Sequence, residues 1–389
     1  MRTFEHLDRH LGLLPPDLVN ALTEIDRGRG YQDALRGQHP MVLESLKTIA
    51  IVQSVEASNA IEDIHVPHKR LRELALGDVT PENRSEAEVA GYRRVLKEIH
   101  ENGENIPLRL NVVLQLHGWL FSFLDGPSGQ FKVGENRVVE THPDGTEIVR
   151  FDPVSAADTP RCMRELHRLF DEAGAERTYH PLLLLGAYVF DFLMIHPFQD
   201  GNGRMSRLIT SLLMRQSGYE VGRYISWEKK INDTREVYHQ ALQRSTAGWH
   251  EAEHDLHPWL SYFLGILVAS YADFAERAKL GTGRGTAMQT IERFLRANLS
   301  DRFTIADIRE ILPATSDVHV GRLLRQLKDR GIIEPRGGGR GAYWMRPPAG
   351  SNSQLPDSEA SGSSASAPQR LTDLLAPRPE LAGSLCQGG

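Results

Sequence analysis

The chain has 389 residues, 40% hydrophobic and 25% charged, with a formal net charge of -6. That length allows roughly two or three domains with proper cores, and the acidic balance argues against nucleic-acid or anionic-membrane affinity of the protein as a whole while leaving room for one basic module. The only cysteines are Cys162 and Cys386, which excludes a disulfide scaffold or a cysteine-rich zinc site and fits a reducing compartment.

The opening stretch, MRTFEHLDRHLGLLPPDLVN, has no continuous apolar run, so no secretory signal is predicted. In MVLESLKTIAIVQSV, residues Val42, Leu46, Ile49 and Val52 recur at helical spacing. SNAIED, residues 58–63, contains Asn59-x-x-Glu62, the pattern of a capping box in which Glu62 would bond the backbone at a helix start. EAEVAGYRRVLKEIH and LNVVLQLHGWLFSFL predict further helices. QFKVGENRVVETHPDGTEIVRF breaks the pattern: extended runs flank Asp144-Gly145, which predicts a β-hairpin over residues 131–151. TPRCMRELHRLFDEA and HPLLLLGAYVFDFLMI return to helix. The apolar runs Leu182–Ile195 and Trp259–Tyr271 are too short to span a bilayer. A cytoplasmic, membrane-free protein is expected.

After the glycine-rich KLGTGRGT at 279–286, the order helix, helix, turn, helix and two short strands around a Gly/Arg loop predicts a winged helix-turn-helix over 286–346. Residues 284–346 hold twelve Lys/Arg against seven Asp/Glu, a net +5, which leaves -11 for the rest. That asymmetry suits DNA, with Arg322, Arg325 and Lys328 on the recognition helix and Arg336 and Arg340 in the wing. A protein-contact or dimerisation module of the same shape fits equally, so a homodimer is compatible with it. Residues 347–389, rich in Pro, Ser, Gly and Ala, are expected to be disordered.

The densest chemistry lies in HPFQDGNGRMSR, residues 196–207. Pro197 biases His196 away from helix, so one helix should stop near Met194. Met205, Leu208, Ile209, Leu212 and Leu213 predict another starting near Gly203. A helix N-terminus offers unpaired N–H groups and a positive dipole end to phosphate, and Gly201 and Gly203 let the backbone approach a ligand. Arg204 and Arg207, three apart, would share a face and grip phosphate oxygens. Asp200 supplies a hard oxygen for Mg²⁺, and His196 can take a proton from a hydroxyl. Together these predict a Mg-nucleotide site with a general base, hence phosphoryl or nucleotidyl transfer.

This stretch resembles the Fic motif, H-x-F-x-[DE]-G-N-G-R-x-x-R, with every fixed position filled. The resemblance extends over the helices from about 41 to 280. It implies a mainly α fold: an N-terminal helical region over 1–110, a Fic catalytic core over 111–280 whose hairpin at 131–151 is a flap docking the target protein, and the winged module. The implied activity is transfer of AMP from ATP to a Ser, Thr or Tyr hydroxyl, with His196 as base, Phe198 as core anchor and Asp200 on Mg²⁺. Gly201, Asn202 and Gly203 would form the anion hole, and Arg204 and Arg207 would bind the β- and γ-phosphates. INDTREVYHQAL, 231–242, resembles the adenine-side helix, with Tyr238 and His239 where members typically carry two aromatics. Self-inhibited members carry [ST]-x-x-x-E-[GN]; Ser58 and Glu62 match, Asp63 departs, and the resemblance pairs Glu62 with Arg207, forcing ATP into an unproductive pose. The added charge of Asp63 would strengthen that brake.

HEAEH, His250–His254, matches a zinc-protease pattern with His257 as a third ligand, but Gly248 and Pro258 leave no helix to hold it, and it reads better as a polar loop. Neither a Walker A sequence nor G-x-G-x-x-G occurs. The reading is therefore an autoinhibited protein adenylyltransferase. The alternatives are the same site using another nucleotide or removing AMP, and a DNA-binding regulator whose Fic domain senses nucleotide.

Overall fold

The computed structural model describes residues 2–36, 40–77, 79–141, 147–282, 302–305, 308, 317–337 and 343–345. In chain order come α1 (Leu7–Leu11), α2 (Pro16–Arg36), α3 (Pro40–Ala60), α4 (His68–Leu76), α5 (Arg84–Asn102) and α6 (Leu110–Leu120). Two strands follow, β1 (Val138–Thr141) and β2 (Glu147–Phe151). Then come α7 (Thr159–Glu176), α8 (Pro181–Ile195), α9 (Asn202–Gln216), α10 (Trp227–Asp233), α11 (Arg235–Thr246) and α12 (His257–Thr282). The last described elements are β3 (Arg302–Phe303), α13 (Asp317–Asp329), β4 (Glu334–Arg336) and β5 (Tyr343–Met345). The chain is mainly helical, as its periodicity predicts.

α8 is the axis of the core. Every residue from Leu182 to Ile195 is buried, and a helix apolar all round must be surrounded by others; α7, α9 and α12 pack on it. Its one charged residue, Asp191, accepts hydrogen bonds from Thr3 Oγ1 at 2.6 Å and Trp249 Nε1 at 2.8 Å. Burial pushes that carboxyl up to about 6. α12 crosses α8 closely at Gly186, where a Cβ would strike Leu260 Cδ2 at 2.6 Å and where Trp259 Nε1 donates to the Gly186 carbonyl at 2.8 Å.

The capping-box expectation is overturned. Ser58 and Asn59 lie in the last turn of α3, and Asn59 Nδ2 donates back to the Val55 carbonyl at 2.7 Å. Glu62 follows a helix end; the next helix, α4, begins at His68 behind Pro67. The buried series Leu43, Leu46, Ala50 and Val55 runs into this segment from its N-terminal side, so the helix lies before it.

β1 and β2 pair antiparallel, with Val139 opposite Val149 and Thr141 opposite Glu147. They are shorter than the expected 131–151; before β1, Lys132 and Asn136 bond to the 195–198 loop. The Asp144-Gly145 turn lies outside the described residues. Near the C-terminal end, β3, β5 and β4 form an antiparallel sheet in that order. On α13, Val320, Leu323, Leu324 and Leu327 are buried, while Arg322, Arg325 and Lys328 are exposed. Arg340, residues 283–286 of the hinge, the helices expected over 287–313 (save Thr304, Ile305 and Ile308) and the 347–389 tail with Cys386 also lie outside the described residues. Among the described residues, no helix is long and apolar enough to cross a membrane.

Candidate active site

α8 stops at Ile195, and His196 takes a left-handed conformation, φ 50° and ψ 61°, with its N–H still donating to the Phe192 carbonyl at 3.0 Å. The Pro197 ring disfavours right-handed helix at His196, and the backbone there turns left-handed instead. The imidazole is half-buried. Its Nδ1 lies 3.3 Å from the Leu193 carbonyl oxygen. A carbonyl only accepts, so Nδ1 carries the proton and Nε2 presents a lone pair. Burial lowers the ring's pKa to about 4, which keeps it neutral at pH 7. A general base needs both properties.

The loop behind His196 is fixed by packing. Phe198 is fully buried and stacks on His117, ring centroids 3.8 Å apart. His117 Nε2 is 3.1 Å from the Asp200 carbonyl, and its Nδ1 accepts from the Gly129 N–H at 2.9 Å. Asn202 closes the loop, accepting from the Phe198 N–H at 2.9 Å and donating to the Phe198 carbonyl at 2.7 Å. Gly201 has φ 81°, and a Cβ there would meet the Phe121 ring at 2.8 Å. α9 begins at Asn202, so its first-turn N–H groups open onto this loop. From the other side, Lys132 Nζ donates to the Ile195 carbonyl at 3.2 Å, and its backbone N–H to that of Pro197 at 2.9 Å. Asn136 Nδ2 donates to the carbonyls of His196 at 3.5 Å and Phe198 at 2.9 Å.

The two motif arginines diverge instead of sharing one face. Arg204 Nη1 donates to Glu88 Oε2 on α5 at 2.7 Å, with its guanidinium over the Phe121 ring at 5.2 Å. Arg207 donates from Nε to Ser58 Oγ at 2.8 Å, and from Nη2 to the Ser58 carbonyl at 2.9 Å and Glu62 Oε1 at 2.8 Å. Arg207 is 3% exposed, while Glu62 is 35% exposed. Burial alone would raise the Glu62 carboxyl, but the Arg207 guanidinium more than offsets it and the net shift is downward. Glu62 is therefore ionised at neutral pH. Its carboxylate sits against the first turn of α9, where a Cβ on Gly203 would collide with Oε1. Asp63 has φ 58°, and its carboxylate takes Arg235 Nη1 and Nη2 of α11 at 2.9 and 3.2 Å. Tyr238, also on α11, is buried against Trp259 and Tyr262.

Asp200 is exposed; its Oδ1 accepts from the Gly201 N–H at 2.5 Å and lies 3.7 Å from Arg204 Nη2. Among the described residues no group of three His, Cys, Asp or Glu side chains could hold a metal. One exposed carboxylate at a helix N-terminus fits an ion held mostly by phosphate and water oxygens, as Mg²⁺ usually is. The HEAEH zinc reading fails. His250 Nε2 lies 2.8 Å from the Asp152 carbonyl, buried His254 faces His10 and Thr3, and His257 pairs with Asp17.

Sequence reasoning missed Glu88, His117, Lys132, Asn136 and Arg235. Each meets the motif or the 58–63 segment from far along the chain, and no local pattern marks such pairings.

Residues 107–214 match the model of the Fic/DOC family. Fly proteins named protein adenylyltransferase Fic, from Drosophila sechellia and Drosophila melanogaster, are 25% identical over 211 residues, covering 52% of this chain and 41% of theirs. The chain thus spans less than half the length of the curated relatives it matches. Among solved structures, a Fic family protein from Desulfovibrio desulfuricans G20 superposes with TM-score 0.57 at 19% identity, covering 87% of this chain and 98% of that one. A Fic domain containing signaling protein from Bacteroides thetaiotaomicron VPI-5482 gives TM-score 0.53 at 19% identity over 66% of this chain and 98% of that one. With the motif intact inside the matched stretch, residues 107–214 are a domain of the Fic/DOC family.

Proposed function

We propose that this protein transfers AMP from Mg-ATP to a Ser, Thr or Tyr hydroxyl of a protein, its own chain included, and that Glu62 restrains the reaction. The observation that carries this reading is the Glu62 carboxylate, bonded to Arg207 and set against the N-terminus of α9 beside a neutral His196. An anionic side chain there stands where phosphate would bind. The name of the fly relatives supports AMP as the group moved.

In this mechanism the triphosphate lies along the first turn of α9, on the N–H groups of Gly201, Asn202 and Gly203, with Arg204 and Arg207 on its β- and γ-phosphates. Asp200 would hold Mg²⁺, which neutralises phosphate charge when bound. His196 Nε2 takes the proton of the incoming hydroxyl as its oxygen bonds to the α-phosphorus and pyrophosphate leaves. The β1–β2 hairpin offers an edge to which an extended target segment can add as a strand, a grip that needs no particular sequence. Tyr238 closes the adenine side.

The test uses ATP labelled at the α-phosphate with wild type, Glu62→Gly, His196→Ala and the double variant. A charged hydrogen bond is worth ~1.5–3 kcal/mol, so Glu62→Gly should label protein about tenfold to a hundredfold faster. His196→Ala should abolish labelling in both backgrounds. No label anywhere, with ATP still bound, would shift the reading to AMP removal, another nucleotide donor or nucleotide sensing.

A second activity rests on α13, whose exposed Arg322, Arg325 and Lys328 back onto a buried apolar face. In a winged helix-turn-helix over 286–346 they would lie along DNA, with Arg336, here paired with Glu334 at 2.9 Å, at its edge. Duplex binding that weakens steeply with salt supports this reading; no binding at low salt rejects it.

A further inference from the structure

We infer that Lys132 and Asn136 are positioning residues that hold His196 in its reactive orientation from the segment leading into β1. The inference rests on the transferase reading for its catalytic meaning and on geometry for its substance.

Four consecutive carbonyls, Ile195 to Phe198, are each bonded by Lys132 or Asn136. Lys132 Nζ also donates to Asn136 Oδ1 at 2.7 Å, so the two side chains act as one clamp. His196 between them is in a left-handed conformation, which a residue with a Cβ keeps only where its surroundings over-determine it. The motif loop fixes the residues after His196 through Asn202 and Phe198; the clamp fixes the carbonyls on either side of it.

Lys132 is 3% exposed, and among the described residues no carboxylate forms an ion pair with it. A cation this buried is expensive where an apolar side chain would pack, and burial lowers its pKa to about 8. The charged groups acting on His196 are Lys132, Glu62 beyond α3 and Asp200 in the loop, and Lys132 alone opposes protonation of the imidazole. One residue therefore ties the backbone of the base and adds its charge to the burial that keeps the ring neutral.

The test uses the full chain carrying Glu62→Gly as parent, with Lys132→Met, Lys132→Arg and Asn136→Ala added singly. Lys132→Met and Asn136→Ala should each lower kcat about 10- to 100-fold, the scale of a misplaced reacting group, with KM for ATP unchanged. Lys132→Arg should restore most of the rate. NMR titration of the His196 ring, independent of activity, should show a higher midpoint in Lys132→Met than in the parent. An unmoved midpoint together with an unchanged kcat, or a parallel rise in KM, overturns the inference. A parent that transfers no AMP sinks the transferase reading, and the titration then decides the clamp. Should Lys132→Met fail to fold, Asn136→Ala decides by kcat against KM.

Discussion

Arg204 and Arg207 are both buried cations, held by the carboxylates of Glu88 on α5 and of Glu62 in the turn after α3. Removing one partner of such a pair leaves an uncompensated charge, so Glu88→Ala should cost about 3–5 kcal/mol, read as a lower urea midpoint. Glu88→Gln, which still accepts a hydrogen bond, should cost less. Asp63 is a weaker case. Its pair with Arg235 is exposed on both sides, and such pairs are worth about 0.2–1 kcal/mol. Asp63→Asn should therefore raise basal AMP transfer by less than about fivefold, and a rise matching Glu62→Gly would show that Asp63 carries the restraint. As the proposed base, His196 should set the pH response. Its pKa is lowered to about 4, so the base is unprotonated above that value, and the rate in Glu62→Gly should be flat from about pH 6 to 8. It should fall only as pH drops toward 4; a fall already under way near pH 6.5 would mean a solvated ring.

Helices were legible because a buried stripe repeats along each of them, and α3, α5, α7 and α8 lie where the periodicity puts them. The motif was legible because its residues are local: histidine, turn, glycines and arginines fall within one loop and one helix. What bonds across the chain was not. Glu88 lies 116 residues from Arg204, and the Lys132 side chain reaches Ile195 over 63. The capping pattern misled for a related reason, since Asn59-x-x-Glu62 looks alike at either end of a helix and only the direction of the buried stripe separates the two. Packing between elements sets one further expectation. Gly186 lets α12 touch the backbone of α8, so Gly186→Val should force the helices apart and cost about 1–3 kcal/mol, read as a lower Tm.

Across the whole molecule, acid should loosen the fold. Burial holds His100 and His254 down to about 3 and His10 and His117 down to about 4, against an ordinary 6.5. Between about pH 6.5 and 4 the unfolded chain binds protons that the folded chain refuses, so this contribution to stability is lost as pH falls through that window. Asp191, pushed up to about 6 by burial, acts in the opposite sense: there the folded chain holds a proton that the unfolded chain releases. One carboxyl does not offset four imidazoles, and the urea midpoint should be lower at pH 5 than at pH 7. An unchanged midpoint would show that the imidazoles are reached by water.

The bonds from residues 132–136 to the carbonyls of 195–198 also bear on the order in which substrates are felt. The same short segment leads into β1 at one end and steadies the motif loop at the other. A bound triphosphate that steadies the motif loop should then steady the hairpin too, and any such coupling is reciprocal. Nucleotide should raise affinity for the target segment by the same factor by which the target raises affinity for nucleotide. On the proposed docking of a target at the hairpin, its edge would report on the site beneath it, engaging a partner most firmly when the group to be transferred is already in place.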